Sequence, residues 1–175
     1  MLLLRDMKES DIEDYVRWFT VETEWGNWDA PWEPFDTDEE TERRNWTEYY
    51  DSIKDLTKDT VRRKYEIESE GKHIGWISSY TDLEYLENND KIPAIGIDIP
   101  ERGYRNHGCG AEAFRLYIDY LKEYGYHSFY TQTWSGNAAM MRVAEKLGFK
   151  ETARWKDCRE VDGRQYDAIT YRLDL

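Results

Sequence analysis

Apolar residues recur along this chain at two periods, and the switches between them mark its elements. Leu2–Arg5 reads as a short first strand. Ser10-Asp-Ile-Glu13 has the form of a capping box, and Ile12, Tyr15, Val16 and Phe19 follow at helical spacing, predicting a helix over about 11–21. Thr37-Asp-Glu-Glu40 is a second such box, with Trp46, Tyr49, Tyr50 and Ile53 on one face of the helix it opens. The stretch between them, Glu24 to Phe35, carries two prolines and a glycine and reads as a loop. From Lys64 the period drops to two. Tyr65 and Ile67, then Ile74, Trp76 and Tyr80, alternate on either side of Gly71 and predict a hairpin. Ile95, Ile97 and Ile99 mark a further strand over 94–100. Ala111, Phe114, Ile118 and Leu121 predict a helix over about 108–124 that stops at Gly125. Ser128–Trp134 is a strand. Asn137 caps a short helix with Met140, Ala144 and Leu147 inward, and Gly148 fits the left-handed position that ends it. Two last strands flank Asp162-Gly163, a two-residue hairpin signal.

The order is β-α-α-β-β-β-α-β-α-β-β. The strand–helix–strand unit over 94–134 calls for a right-handed crossover and hence a parallel pair, while the hairpins around it are antiparallel. The expected fold is a single α/β (α+β) domain over 1–175, a mixed sheet of about seven strands with helices on both faces. Composition narrows the class. The 27 aromatic side chains (8 Trp, 14 Tyr, 5 Phe) argue against disorder in a chain that is 35% charged. A formal charge of −13 disfavours nucleic acid and favours a cationic partner. No apolar run reaches the roughly 20 residues of a bilayer span. The charged start gives no signal peptide, and Cys109 and Cys158 form neither a disulfide framework nor a zinc cluster. A cytoplasmic protein without metal, acting as monomer or homodimer, is the expectation.

The chemistry concentrates where the 94–100 strand ends. Arg105-Asn-His-Gly108-Cys-Gly110 leads into a helix, whose first amides and partial positive charge make an anion site. The Walker pattern is absent, and the dinucleotide fingerprint is only half met and does not directly follow a strand. The string Arg105-x-x-Gly108-x-Gly110 after a β-strand resembles the acetyl-CoA loop of the GNAT N-acetyltransferase superfamily. Asn137-Ala-Ala-Met-Met-Arg-Val-Ala-Glu-Lys-Leu-Gly-Phe149 is similar to that family's later segment, at a distance that leaves room for one helix and one strand. The Trp-rich front and the Asp-Gly tail hairpin are closest to the branch that acetylates ribosomal-protein N-termini.

The resemblance implies direct transfer of acetyl from acetyl-CoA to a primary amine. The amine would belong to a protein N-terminus, a polyamine, an aminoglycoside or another small metabolite. It also implies that the cofactor lies between splayed parallel strands, here 94–99 and 128–134. The amides of Arg105, Asn106, His107, Gly108, Cys109 and Gly110 would hold the pyrophosphate, and the backbone near Ile97 and Ile99 the pantetheine arm. Asn137 would contact the cofactor or a water near the thioester, with Met140 beside it. The family's usual general-acid tyrosine is replaced by Ala144, and the serine used by some of the nearest branch by Met140. A thiolate leaves with little help, its conjugate acid having a pKa of about 8.5. The amine needs a base, and Asp98, on the strand face opposite the isoleucines, is the candidate.

Trp25, Trp28, Asp29 and Trp32 lie in the acidic aromatic loop, which admits two readings: a hydrophobic plug over the sheet, or an acceptor-binding lid whose rings and carboxylates attract an ammonium group. The competing functional classes are a non-catalytic acyl-CoA-binding module and a protein-interaction domain built on the acidic Trp-rich surface.

Overall fold

The computed structural model describes residues 1–87 and 90–175. The elements run β1 (Leu2–Arg5), α1 (Asp11–Thr20), α2 (Gly26–Asp29), α3 (Glu39–Ile53), β2 (Lys64–Ser69), β3 (Lys72–Tyr80), β4 (Ala94–Asp98), α4 (Cys109–Glu123), β5 (Ser128–Trp134), α5 (Ala138–Lys146), β6 (Lys150–Val161) and β7 (Arg164–Asp174). The seven strands form one sheet in the order β1-β2-β3-β4-β5-β7-β6. Among the described residues only β4 and β5 pair in parallel, as the crossover through α4 requires. Among the described residues no helix is long and apolar enough to cross a membrane.

Two cores lie on opposite faces of the sheet. On one, Phe114, Tyr117, Ile118 and Leu121 of α4 and Ala144 of α5 pack on Ile67, Ile77, Ile95, Phe129 and Ile169. On the other, Tyr15, Val16 and Trp18 of α1 join Trp25 and Trp76, with Trp46, Tyr49, Tyr50 and Ile53 of α3 closing over them. Here Tyr15 stacks on Trp46 at 3.6 Å between ring centroids.

The structure corrects the expected helix starts and the expected loop. Ser10 makes no side-chain cap. The neighbouring Asp11 accepts instead from the Lys8 amide at 2.7 Å and from Arg5 at 2.6 and 2.8 Å, so the carboxylate ties α1 to β1. Asp38, not Thr37, caps α3 by accepting from the Thr41 amide at 2.8 Å. Thr37 donates to Glu42. The segment 24–35 is not irregular throughout: a 3₁₀ turn at Thr23–Trp25 runs into α2. The tail hairpin turns at Asp162 and Gly163, both left-handed, which suits the twist of two adjoining strands.

Candidate active site

The parallel pair β4–β5 is joined at its start and parts beyond it. Ala94 faces Tyr130, the Tyr130 amide donates to Pro93 O at 2.9 Å, and the Thr131 hydroxyl donates to Ile95 O at 2.8 Å. No further residue of β4 is in register with β5, although each continues for several residues. The opposite edge of β4 stays zipped to β3 as far as Trp76–Asp98. The result is a wedge in the middle of the sheet. Gly75 lets β4 close against β3 at its end, since a Cβ there would lie 2.1 Å from Asp98 O.

The chain then turns through Arg102–Tyr104 into the N-terminus of α4. Asn106 and Gly108 are left-handed, at φ 63° and 89°. A Cβ at Gly108 would meet nothing within 4 Å, so glycine is needed for its backbone angle while the space beside it stays open. Turns over 105–108 lead into α4, whose first amides, as at any helix start, have no intrahelical acceptor and face the end of β4 as candidate anion donors. His107 is exposed, and Cys109 packs its sulfur partly against the α4 core, where burial raises the thiol pKa.

Arg105 departs from its expected role. Its amide closes the turn onto Arg102 O, and its guanidinium donates to Ile99 O at 2.7 Å, Pro100 O at 2.6 Å and Glu24 at 2.6 Å. It is a latch between the end of β4 and the aromatic segment. The Ile99 carbonyl is thereby occupied. The Ile97 and Ile99 side chains pack toward the α4 core. Asn137 is likewise engaged, its Oδ1 accepting from the Met140 amide at 3.0 Å and its Nδ2 donating to Trp28 O at 2.8 Å. Met140 rests against the core, and Ala144 is 1% exposed beneath α5.

Asp98 projects to the α1 face, in the cross-strand row Glu66–Trp76–Asp98. Burial raises its carboxyl pKa well above the ordinary value, and the charge of Asp29 adds to this, with Lys64 opposing. Asp29 lies exposed at the rim, yet the protein around it and Glu33 raise its pKa as well. Beside them opens a cleft of about 260 Å³, walled by Trp32, Tyr80, Tyr85 and Trp134 and carrying Asp29, Glu33, Asp82, Glu84 and Arg159. Gln132 to Trp134, the β5 side of the wedge, form part of its lining.

The four front-loop candidates therefore separate. Asp29 and Trp32 line the cleft. Trp25 is 5% exposed, donates to Trp18 O at 2.9 Å and belongs to the core, which corrects its placement as an acceptor contact. Trp28 is 45% exposed, and its carbonyl accepts from Trp134 Nε1 and Asn137. The sequence reading missed Tyr80, Glu84, Trp134 and Arg159. All reach the cleft from distant parts of the chain; strand alternation hinted at a shared face only for Tyr80, Trp134 and Arg159, while Glu84 lies in the segment between β3 and β4.

The family model described as an acetyltransferase (GNAT) domain matches residues 1–150. The chain belongs to this GNAT acetyltransferase family. No curated protein matches it in sequence. Among solved structures, the GNAT fold recurs in yncA of Salmonella typhimurium, determined with acetyl-CoA (18% identity, 99% of this chain and 94% of that one, TM-score 0.72). It recurs in a ribosomal-protein-alanine N-acetyltransferase of Brucella melitensis (20%, 99% of both chains, TM-score 0.71). A third is RimL, a ribosomal L7/L12 α-N-protein acetyltransferase bound to coenzyme A (17%, 99% and 94%, TM-score 0.75). At these identities the likeness is one of fold.

Proposed function

We propose that this GNAT protein transfers acetyl from acetyl-CoA to a primary amine held in the acidic aromatic cleft. The observation that carries the reading is the wedge between β4 and β5. It is closed at Ala94–Tyr130, it has the candidate anion donors of the α4 start, and it has an acidic cleft along its β5 side. The open space at Gly108 fits a phosphate approaching the backbone. Acetyl-CoA supplies an activated thioester. The protein supplies the rest.

The first amides of α4 offer fixed donors that need no reorientation when an anion arrives. The unpaired edges of β4 and β5 offer backbone groups to the pantetheine amides. The carboxylates of the cleft draw in an ammonium group, and Asp98 accepts its proton. A carboxyl held above its ordinary pKa is a stronger base when ionised and sits closer to the working pH, which is what general-base catalysis asks. The acceptor classes that the solved relatives' names mention, protein N-terminal amines among them, are compatible with such a site.

The competing reading is a non-catalytic acyl-CoA-binding module, favoured by the burial of Ala144 and by the engagement of Asn137 in capping α5. It leaves the acidic cleft without a role. The test is thiol release from acetyl-CoA across an amine panel, in wild type and Gly108→Val. Wild type should release thiol only with amine present, and Gly108→Val should raise the KM for acetyl-CoA at least about tenfold while the chain still folds, because a β-branched residue is strained at this φ. CoA binding without amine-dependent release would establish the binding module instead. Unchanged CoA affinity in the variant would refute the loop assignment.

A further inference from the structure

One place in the middle of the sheet is left open. On the α1 face β4 presents alternate residues, Ala94, Gly96 and Asp98. Among the described residues, and apart from its chain neighbours, a Cβ on Gly96 would find only the Tyr80 ring within 4 Å, at 3.4 Å. The same face of β3 is crowded one step away. Trp76 is covered there by the rings of Tyr15, Trp18, Phe19 and Trp25, with centroids at 5.1–6.1 Å.

The space over Gly96 lies where two features meet. Ala94 is the residue of β4 in register with β5, and Gly96, two residues on, stands at the throat of the wedge. Tyr80 borders this throat and also walls the acidic cleft. Its hydroxyl lies among carboxyl groups, and burial together with the charges of Asp29, Asp98 and Glu84 pushes its pKa up to about 12. Both sides of the throat are fixed. Tyr80 is paired with Ala94 across β3 and β4. On β5, Gln132 Nε2 donates to Glu84 O at 2.8 Å and to Thr170 Oγ1 at 2.9 Å. Trp134 is held by its bond to Trp28 O and by edge-on contacts with Trp32 and Tyr166.

We propose that the space over Gly96 seats the acyl group carried by CoA, and that the Tyr80 ring limits that group to a short chain. The inference rests on the reading of the wedge as an acyl-CoA site and narrows its donor. A thioester in the wedge and an amine in the cleft meet only where the two adjoin. On β4 that place is Gly96, with Asp98 next along the same face. The amine nitrogen attacks the thioester carbonyl carbon, the C–N bond forms as the C–S bond breaks, the sulfur leaves as the CoA thiolate, and the amine proton passes to Asp98. The acyl chain needs a seat beside that carbon throughout. An alanine at 96 would fill the seat with protein. Glycine leaves it to the donor, and the Tyr80 ring closes one side, so a longer chain must displace the ring.

Chain length is the readout, because a merely structural role for Tyr80 would not move it. Dissociation constants of CoA, acetyl-CoA, propionyl-CoA and butyryl-CoA are measured by titration calorimetry without amine. Thiol release is then followed for each thioester with benzylamine, spermidine and L-alaninamide. Wild type should bind butyryl-CoA at least about tenfold more weakly than acetyl-CoA, the scale on which a closed pocket rejects a surplus methylene. Tyr80→Ala should raise the butyryl-to-acetyl ratio about tenfold in binding and in kcat/KM. Tyr80→Phe, which keeps the ring, should keep the wild-type order of donors. Gly96 is not left-handed, so Gly96→Ala should melt no lower than wild type, yet bind acetyl-CoA about fivefold more weakly with free CoA unaffected. Tyr80→Leu and Gly96→Ala carry the test if Tyr80→Ala does not fold. An unchanged ratio in the Tyr80→Ala and Tyr80→Leu variants, or full acetyl-CoA affinity in Gly96→Ala, overturns the inference while leaving acetyl transfer standing. Chain-length selectivity that follows the substitutions without thiol release upholds it and counts against transfer. No binding of any acyl-CoA overturns both.

Discussion

Two buried cations under α1 should give this protein a stability minimum in mildly alkaline solution. His73 is 6% exposed, with Nδ1 3.0 Å from Asp14 and Nε2 3.0 Å from Glu66. Burial disfavours its charge, but hydrogen bonds to Asp14 and Glu66 and the nearby Asp11 prevail and raise its pKa from 6.5 to about 9. Lys64 lies 4.2–5.2 Å from the ring centroids of Trp46, Tyr15, Tyr49 and Trp76. There burial outweighs Glu66, Asp98 and Asp11 and lowers its pKa from 10.5 to about 8.

The signs oppose. The folded state holds the His73 proton more tightly than the unfolded chain, so its contribution is complete below pH ~6.5 and lost as pH rises through about 9. A shift of this size is worth about 3 kcal/mol at 1.36 kcal/mol per unit. The folded state releases the Lys64 proton early, so a penalty of similar size present below pH 8 is relieved between about 8 and 10.5. Stability should fall from pH 6.5 to roughly 8.5 and then recover until other groups titrate. The assay is urea unfolding in half-unit steps from pH 6 to 10 for wild type, His73→Gln and Lys64→Met. His73→Gln should abolish the fall, and Lys64→Met the recovery. A wild-type profile constant to about 0.5 kcal/mol from pH 6.5 to 8.5, or an unchanged fall in His73→Gln, refutes the reasoning.

Two further substitutions probe the site and the aromatic segment. Asp98→Asn should lower kcat/KM for the amine by about 10²–10⁴. It should also raise the melting temperature at pH 7.5, because the folded pKa of Asp98 lies above its unfolded value and ionisation there weakens the fold as pH rises. A variant of unchanged activity removes Asp98 as the base. Trp25→Ala should cost about 3–5 kcal/mol in urea unfolding. Trp28→Ala, at a site 45% exposed, should cost about 1 kcal/mol or less. Equal costs would contradict the separation of plug from rim.

Much of the architecture was legible because it follows from local pattern. Ile95 and the α4 face of Ala111, Phe114, Ile118 and Leu121 reappear as buried positions, with Ile97 half-buried against the same core. So does the left-handed Gly148 that ends α5. What stayed hidden is long-range and polar. Asp11 and Asp14 sit in the acidic first turn of α1, and nothing local in the sequence says that Arg5 and His73 lie beneath them. The Ser10 cap failed because Ser10 is itself helical (φ −62°, ψ −21°), where a capping residue is extended, and the Asp11 amide after it is already bonded to Lys8 O. The stacking of Arg159 on Trp32 depends on a bulge in β6, and a two-residue shift of register leaves the alternation of the sequence almost unchanged.

The segment that walls the acidic cleft is held by residues around the β4–β5 wedge. Arg105, in the turn before α4, grips Ile99 O and Pro100 O at the end of β4 and Glu24 at the head of the aromatic segment. Asn137, which caps α5, and Trp134, at the end of β5, both donate to Trp28 O at 2.8 and 2.9 Å. The bonds to Glu24 and Trp28 span 81, 106 and 109 residues of chain and meet a segment whose own regular structure is one 3₁₀ turn and one helical turn. A loop with so little internal hydrogen bonding takes its position from what it is tied to. The residues that resemble a cofactor motif thus act in part as anchors for the wall of the acidic cleft. Substituting Arg105 or Asn137 should therefore disturb amine recognition as well as acetyl-CoA binding, even though neither side chain lines the cleft.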